Sequence, residues 1–158
     1  MTVRLRMTTD FVSIHVDNRL LAAQNLMDWK GLRHLPVIDD EGRVVGMLSH
    51  RALQAEWSDS KSRNLSGEEV ERRLWNRPVR EVMRTQVWMV EPETPVEEAS
   101  RILRDTGVSC LPVVSSGRKL VGVLSSHDLP RGNAQSRDRG RRTGSAAMAL
   151  SSGGALPA

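Results

Sequence analysis

Gly31-Leu32-Arg33-His34-Leu35-Pro36-Val37-Ile38 returns 76 positions later as Gly107-Val108-Ser109-Cys110-Leu111-Pro112-Val113-Val114. Val45-Gly46-Met47-Leu48-Ser49 returns at the same spacing as Val121-Gly122-Val123-Leu124-Ser125. Nine of the 23 aligned positions between 31–53 and 107–129 are identical without a gap, and the match reaches back through Ala23/Ala99 and Thr9/Thr85 to Met7/Met83. A duplication of this length indicates two copies of one supersecondary unit. Two copies, rather than a longer array, suggest a pseudo-two-fold pair with a ligand-sized cleft between its halves.

Each copy, 7–53 and 83–129, reads as strand, helix, strand, strand, helix. Phe11–Val16 and Val87–Val90 are short β-prone runs. Thr94-Pro95-Val96-Glu97 has the form of a capping box, with threonine at N-cap, proline at N1 and glutamate at N3. Val96, Ala99, Ile102 and Leu103 then recur at helical spacing. Gly107 ends that helix, and Gly31 ends its counterpart, which starts near Asn18. The two strands that follow are joined by turns at Asp39-Asp40-Glu41-Gly42 and Ser115-Ser116-Gly117-Arg118. The connector between the copies holds a second capping box, Ser66-Gly67-Glu68-Glu69, ahead of a helix that buries Val70, Leu74 and Trp75 and stops before Pro78. The expected organisation is repeat 1 over 1–58, a connector over 59–78, repeat 2 over 79–130 and a disordered basic tail over 131–158.

Composition narrows the class. Only 3% of the 158 residues are aromatic against 39% hydrophobic, so the core is aliphatic. A single cysteine, Cys110, excludes an internal disulfide and fits a reducing compartment. It lies in an apolar run and is expected to be buried and inert. No apolar segment follows the first arginines and none approaches a membrane span, so the expectation is a cytoplasmic protein. Of 23 Lys+Arg and 19 Asp+Glu, residues 131–142 hold five arginines and one aspartate, which leaves the rest of the chain at 18 against 18. The charge belongs to a tail rather than to a folded basic face, which argues against nucleic-acid binding. His15, His34, His50 and His127 have no partners at metal spacing, and no phosphate-binding glycine loop is present.

The strand-helix-strand-strand-helix unit, its G-h-x-x-L-P-V-h run (h, hydrophobic), and the following h-V-G-h-h-S-x-x-D-L resemble the cystathionine-β-synthase (CBS) domain. Val79-Arg80-Glu81-Val82-Met83 is similar to that family's lead-in to a repeat. Two copies in register resemble the tandem CBS pair, or Bateman module, here standing alone. The resemblance implies an α/β (α+β) fold of two pseudo-symmetric βαββα repeats packed through their sheets. It implies a non-enzymatic regulatory module that needs no cofactor and binds an adenine-containing ligand between the repeats: AMP, ADP, ATP, S-adenosylmethionine or NAD. It also implies a homodimer, with a regulated protein as a possible further partner.

The residues that carry binding follow from that resemblance. Ser125 and Asp128 of Ser125-Ser126-His127-Asp128 fall on phosphate- and ribose-contacting positions, with His127 near phosphate. A serine hydroxyl donates to phosphate, free amides at a helix start favour an anion, and an aspartate accepts from two ribose hydroxyls. The same S-x-x-D is also a helix cap. The base falls against Met83, Gln86, Trp88, Val108 and Ser109, although Trp88 and Val108 also suit plain core packing. Repeat 1 departs from the pattern, because Ala52 stands where Asp128 stands in repeat 2. Charge-assisted hydrogen bonds contribute about 1.5–3 kcal/mol each, so one competent site is expected, in repeat 2. Asp128-Leu129-Pro130-Arg131-Gly132 departs too: proline lacks the amide hydrogen a helix needs, so the last helix of repeat 2 is short or missing. These departures favour a rival reading, a protein-interaction scaffold with a degenerate site. Nucleic-acid binding through the arginine tail ranks last.

Overall fold

The computed structural model describes residues 1–130, the side chains of residues 60–62 excepted. The expected basic tail, 131–158, lies outside the described residues.

The chain divides into two compact units, and they do not follow the repeats in simple order. One unit is Val12–Val87. The other joins Met1–Phe11 to the described residues from Trp88 onward. Each unit therefore contains the helix and strands of one repeat and the lead-in segment of the other.

In the Val12–Val87 unit, β1 (Ile14–His15) pairs parallel with β2 (His34–Ile38), and β2 pairs antiparallel with β3 (Val44–Ser49). Helix α1 (Leu20–Lys30) links β1 to β2 and buries Leu20, Ala23 and Met27. It ends at Gly31, whose φ of 64° lies in the left-handed region that glycine enters without a Cβ clash. Helix α2 (His50–Ser62) follows β3 directly, and α3 (Gly67–Asn76) packs against α1 and α2. Leu53, Val70 and Leu74 complete a core around Leu35, Val37 and Leu48. The capping box of α3 forms as expected: Ser66 Oγ accepts from the Glu69 amide, and Glu69 Oε2 accepts from the Ser66 amide. Trp75 is not part of its buried face but is 57% exposed. Burial on α3 is confined to Val70 and Leu74, four residues apart, and Trp75 lies one position round the helix.

The other unit repeats this plan in register. Helix α4 (Val96–Thr106) buries Val96, Ala99, Ile102 and Leu103 and ends at Gly107, φ 73°. Strands β4 (Cys110–Val114) and β5 (Leu120–Ser125) pair antiparallel, with a register shift at Val113/Val114 that matches the one at Val37/Ile38. The expected strand Val87–Val90 is reduced to a single parallel bridge, Val90 to Val113, and its counterpart β1 is only two residues long. No helix follows β5 among the described residues; the chain turns at Ser126–His127 and bends at Asp128–Leu129.

The lead-ins are held in the same way in both units. Thr8 bridges Val123 of β5, and Arg84 bridges Met47 of β3. Short 3-10 turns, Val3–Leu5 and Val79–Glu81, bury Val3 and Val79. The Met1 carbonyl accepts from the Val96 amide at the start of α4 (3.0 Å), and the Arg77 carbonyl accepts from Leu20 at the start of α1 (3.0 Å). This corrects the expected Thr94 capping box. The N-cap residue is Pro95, and no side chain caps α4. A distant backbone carbonyl satisfies the first amide, so the Thr94 hydroxyl accepts from Glu91 instead (3.0 Å).

Gly46 and Gly122 are the points of closest approach. A Cβ on Gly46 would lie 2.5 Å from Met83 Sδ and 2.9 Å from the Arg84 carbonyl oxygen. One on Gly122 would lie 2.8 Å from Met7 Sδ and 3.2 Å from the Thr8 carbonyl oxygen. Gly46→Ala is expected to destabilise the protein by about 1–3 kcal/mol, the range for overpacking. Gly122→Ala is expected to cost less, because the backbone carbonyl it would meet lies at 3.2 Å rather than 2.9 Å, and its other close contact, the Met7 thioether, is flexible. Urea denaturation of both variants measures the order; equal midpoints would contradict it.

Candidate functional site

The turn after β5 places Asp128 beneath Ser125. Ser125 donates twice to Asp128 Oδ2, from its amide at 2.7 Å and from its hydroxyl at 2.8 Å. The Asp128 amide returns a bond to the Ser125 carbonyl at 3.1 Å, and the Ser126 amide donates to the Ser109 carbonyl at 3.2 Å. Among the described residues Asp128 Oδ1 takes no hydrogen bond, so one carboxylate oxygen is locked and the other is left as an acceptor.

This geometry changes two expected roles. The Ser125 hydroxyl donates its hydrogen bond to Asp128, so it meets any ligand as an acceptor rather than as a phosphate donor. Among the described residues the helix start expected to receive phosphate is not built: no helix follows β5 there, and the Ser126 and Asp128 amides are engaged. His127 is exposed on the same turn. The cap reading of S-x-x-D has no helix to act on among the described residues, and the Ser125–Asp128 bonds use Oδ2 alone.

Repeat 1 shows the same turn without the carboxylate. There the Ser49 hydroxyl accepts from the Ala52 amide at 3.1 Å, and the His50 amide donates to the Arg33 carbonyl at 2.8 Å. Ser49 is thus a plain cap on α2, while Ser125 is a donor to an acid. Arg51 is exposed.

Ser109 is exposed, and Val108 and Trp88 are half-buried and pack on the second core. Both packing roles weighed for Trp88 and Val108 are therefore real contacts. Met83 and Gln86 fall in the Val12–Val87 unit, not in the one that carries Asp128. Met83 packs on Gly46 and the first core, and Gln86 is exposed. Met7, the repeat partner of Met83, falls in the unit that carries Asp128. The pairing Met7/Met83 was visible in the sequence, but the exchange of lead-ins was not.

Cys110 is a neighbour of the site that motif reading missed as such. It pairs across the ladder with Ser125, as His34 pairs with Ser49. It is half-buried rather than fully buried. Burial, and then the negative charge of Asp128, push its thiol up to about 12. His34, in the matching position, has its pKa lowered, first by burial and then by the charge of Arg33. Among the described residues no cluster of His, Cys, Asp or Glu could hold a metal ion. No helix among them is long and apolar enough to cross a membrane.

A duplicated βαββ unit with exchanged lead-ins and a serine-aspartate turn defines a tandem module of the CBS type. Residues 3–57 and 79–131 match the CBS domain, and the chain belongs to that family. It is 28% identical over 127 residues to a CBS domain-containing protein of Dictyostelium discoideum, with 80% of this chain and 87% of that protein covered. It is 26% identical over 125 residues to homoserine O-acetyltransferase of Methanohalobium evestigatum, where it spans 79% of its own length but only 22% of the enzyme. Among solved structures it resembles CBSX2 in complex with AMP, with a TM-score of 0.67, 27% identity, and 80% and 91% of the two chains covered.

Two outcomes follow from these environments. Cys110 stays a thiol near neutral pH, so thiol-reactive reagents are expected to label it at about pH 8 only after denaturant is added. Labelling of the native protein at the rate of a free cysteine would contradict the burial. For His34, a folded pKa below 6.5 means that the unfolded chain binds more protons below that pH. The resulting stability is complete above 6.5 and is lost as pH falls through the folded pKa. The melting temperature is expected to drop between about pH 7 and about pH 5, and His34→Gln is expected to flatten that drop.

Proposed function

We propose that this chain is a non-enzymatic regulatory module that binds an adenine-containing ligand through the Ser125–Asp128 turn. The observation that carries the reading is the split use of the Asp128 carboxylate: Oδ2 is fixed by two donors and Oδ1 is left to accept. A preformed acceptor of this kind suits the hydroxyls of a ribose, because its orientation is fixed before the ligand arrives. The likeness to CBSX2, solved with AMP, supports an adenosine nucleotide as the ligand class. S-adenosylmethionine and NAD share the adenosine moiety and are the next candidates.

In this reading Asp128 holds ribose, exposed His127 meets the phosphate, and Ser109 and Val108 border the base. Trp88 supports Val108 from the core. Met83 and Gln86 fall in the other unit. Repeat 1, with Ala52, has no counterpart of the acceptor and binds far more weakly. The module works in the cytoplasm as a homodimer, and the ligand acts by favouring one of two states presented to a regulated protein.

The rival reading is an interaction scaffold whose site is degenerate. It is favoured by the engaged Ser126 and Asp128 amides, which withdraw the expected phosphate donors. Calorimetric titration with AMP, ATP and S-adenosylmethionine separates the two. The sensor predicts micromolar binding of at least one ligand, weakened tenfold or more in Asp128→Ala, while Ala52→Gly leaves it unchanged. Absence of heat for every ligand up to millimolar concentration would leave the scaffold standing.

A further inference from the structure

The two repeats carry opposite charge at matching turns. Around Ser49 stand Arg33, His34, His50 and Arg51, with Ala52 in the fourth position of the turn. In the same register around Ser125 stand Ser109, Cys110, Ser126 and His127, with Asp128. Both arginines are replaced by residues that are not arginine or lysine, and an alanine is replaced by a carboxylate. The two residues paired across the ladder with these serines report the difference. The pKa of His34 is lowered, first by burial and then by the positive charge of Arg33. That of Cys110 is raised, first by burial and then by the negative charge of Asp128. Beyond burial, the charge acting at the first position is positive and the charge acting at the second is negative.

Hydrogen bonds at the second turn point the same way. The Ser125 amide and hydroxyl both donate to Asp128 Oδ2, at 2.7 and 2.8 Å. The Ser126 amide donates to the Ser109 carbonyl at 3.2 Å, and the Asp128 amide to the Ser125 carbonyl at 3.1 Å. Donors of this kind are what an anion needs. What Ser125 and Asp128 still offer are acceptors, Asp128 Oδ1 and the lone pairs of Ser125 Oγ. Acceptors recognise hydroxyls, not phosphate oxygens. A phosphate monoester carries about −1.5 to −2 charge near pH 7, and the Asp128 carboxylate repels it. Among the described residues, the cation that borders Ser109 and Ser126 is Arg104, exposed on α4 and followed by the exposed Asp105.

We propose that the Ser125–Asp128 turn selects an adenosine-type nucleoside by its unsubstituted ribose diol, and favours a neutral or cationic 5′ group over a phosphate. This selection rests on the ribose contact of Asp128 given under Proposed function. Ser125 is then a positioning residue. It orients the carboxylate and presents a second acceptor to the diol, and it holds no phosphate. The module responds to phosphate-free adenosine derivatives, with a sulfonium such as that of S-adenosylmethionine the favoured 5′ group, and not to the ratio of AMP to ATP.

Calorimetric titration of the full chain with adenosine, AMP, ATP and S-adenosylmethionine at low salt tests this. Adenosine is expected to bind at least as tightly as AMP, S-adenosylmethionine more tightly than AMP, and ATP most weakly. Ser125→Ala is expected to weaken adenosine and AMP by the same factor, about fivefold for one lost hydrogen bond, and Ser125→Thr to restore both. Melting temperatures of the variants control for folding. A loss confined to AMP in Ser125→Ala, or AMP binding more than about tenfold tighter than adenosine, would overturn the proposal and leave the ribose contact standing. So would a preference for AMP that Arg104→Ala abolishes. Unchanged adenosine affinity in Asp128→Ala, or no binding of any of the four by the wild type, would instead overturn the ribose contact, and this selection with it.

Discussion

The contact on which both units depend is the seating of a lead-in segment on a glycine of the hairpin. At Gly46 and at Gly122 the missing Cβ lets a methionine thioether and a backbone carbonyl rest on the sheet itself. That approach lines up the paired bridges Arg84–Met47 and Thr8–Val123. It inserts Val79 and Val3 into the cores. It also brings the carbonyls of Arg77 and Met1 to the first amides of α1 and α4. Core, sheet edge and helix start are thus completed together by residues far away in sequence. Closing such long loops costs entropy that only the finished contact offsets, so each unit is expected to form cooperatively.

Duplicated scaffolds leave room for unequal chemistry. The hairpins, their irregular register and the closing glycines agree between the repeats almost atom for atom in role. At the turn after the second strand they part. Ser49 accepts a hydrogen bond from the Ala52 amide and starts a long helix. Ser125 donates a hydrogen bond to Asp128, and no helix starts there among the described residues. The aspartate gains a fixed orientation and a spare acceptor, while the Ser125, Ser126 and Asp128 amides are taken up within the unit. Burial, and after it the negative charge of Asp128, keep Cys110 protonated.

How much of this was legible beforehand varies with the range of the interaction. The Ser66 capping box formed because both of its bonds are made within four residues and nothing competes for them. The similar-looking Thr94 box did not, because Met1, more than ninety positions away, supplies the carbonyl first. Trp75 reads as apolar yet lies exposed, since α3 turns only Val70 and Leu74 inward. Of the candidate site, Ser125 and Asp128 were named through the family resemblance; that Ser125 donates both of its hydrogen bonds to Asp128 was not legible in the sequence. Met83 and Gln86 were grouped with them by chain order, although they belong to the other unit.

The sequence by itself determined the duplication, the family, the helix ends at Gly31 and Gly107, and the loss of the carboxylate at Ala52. These rest on local geometry: glycine at positive φ, proline without an amide, a fixed spacing of apolar residues. Only the tertiary structure decided which lead-in completes which repeat, which carbonyl caps α4, and which oxygen of Asp128 remains available. Those outcomes are competitions among backbone and side-chain groups distant along the chain. They are settled by which partner arrives within about 3 Å, a quantity that spacing along the chain does not contain.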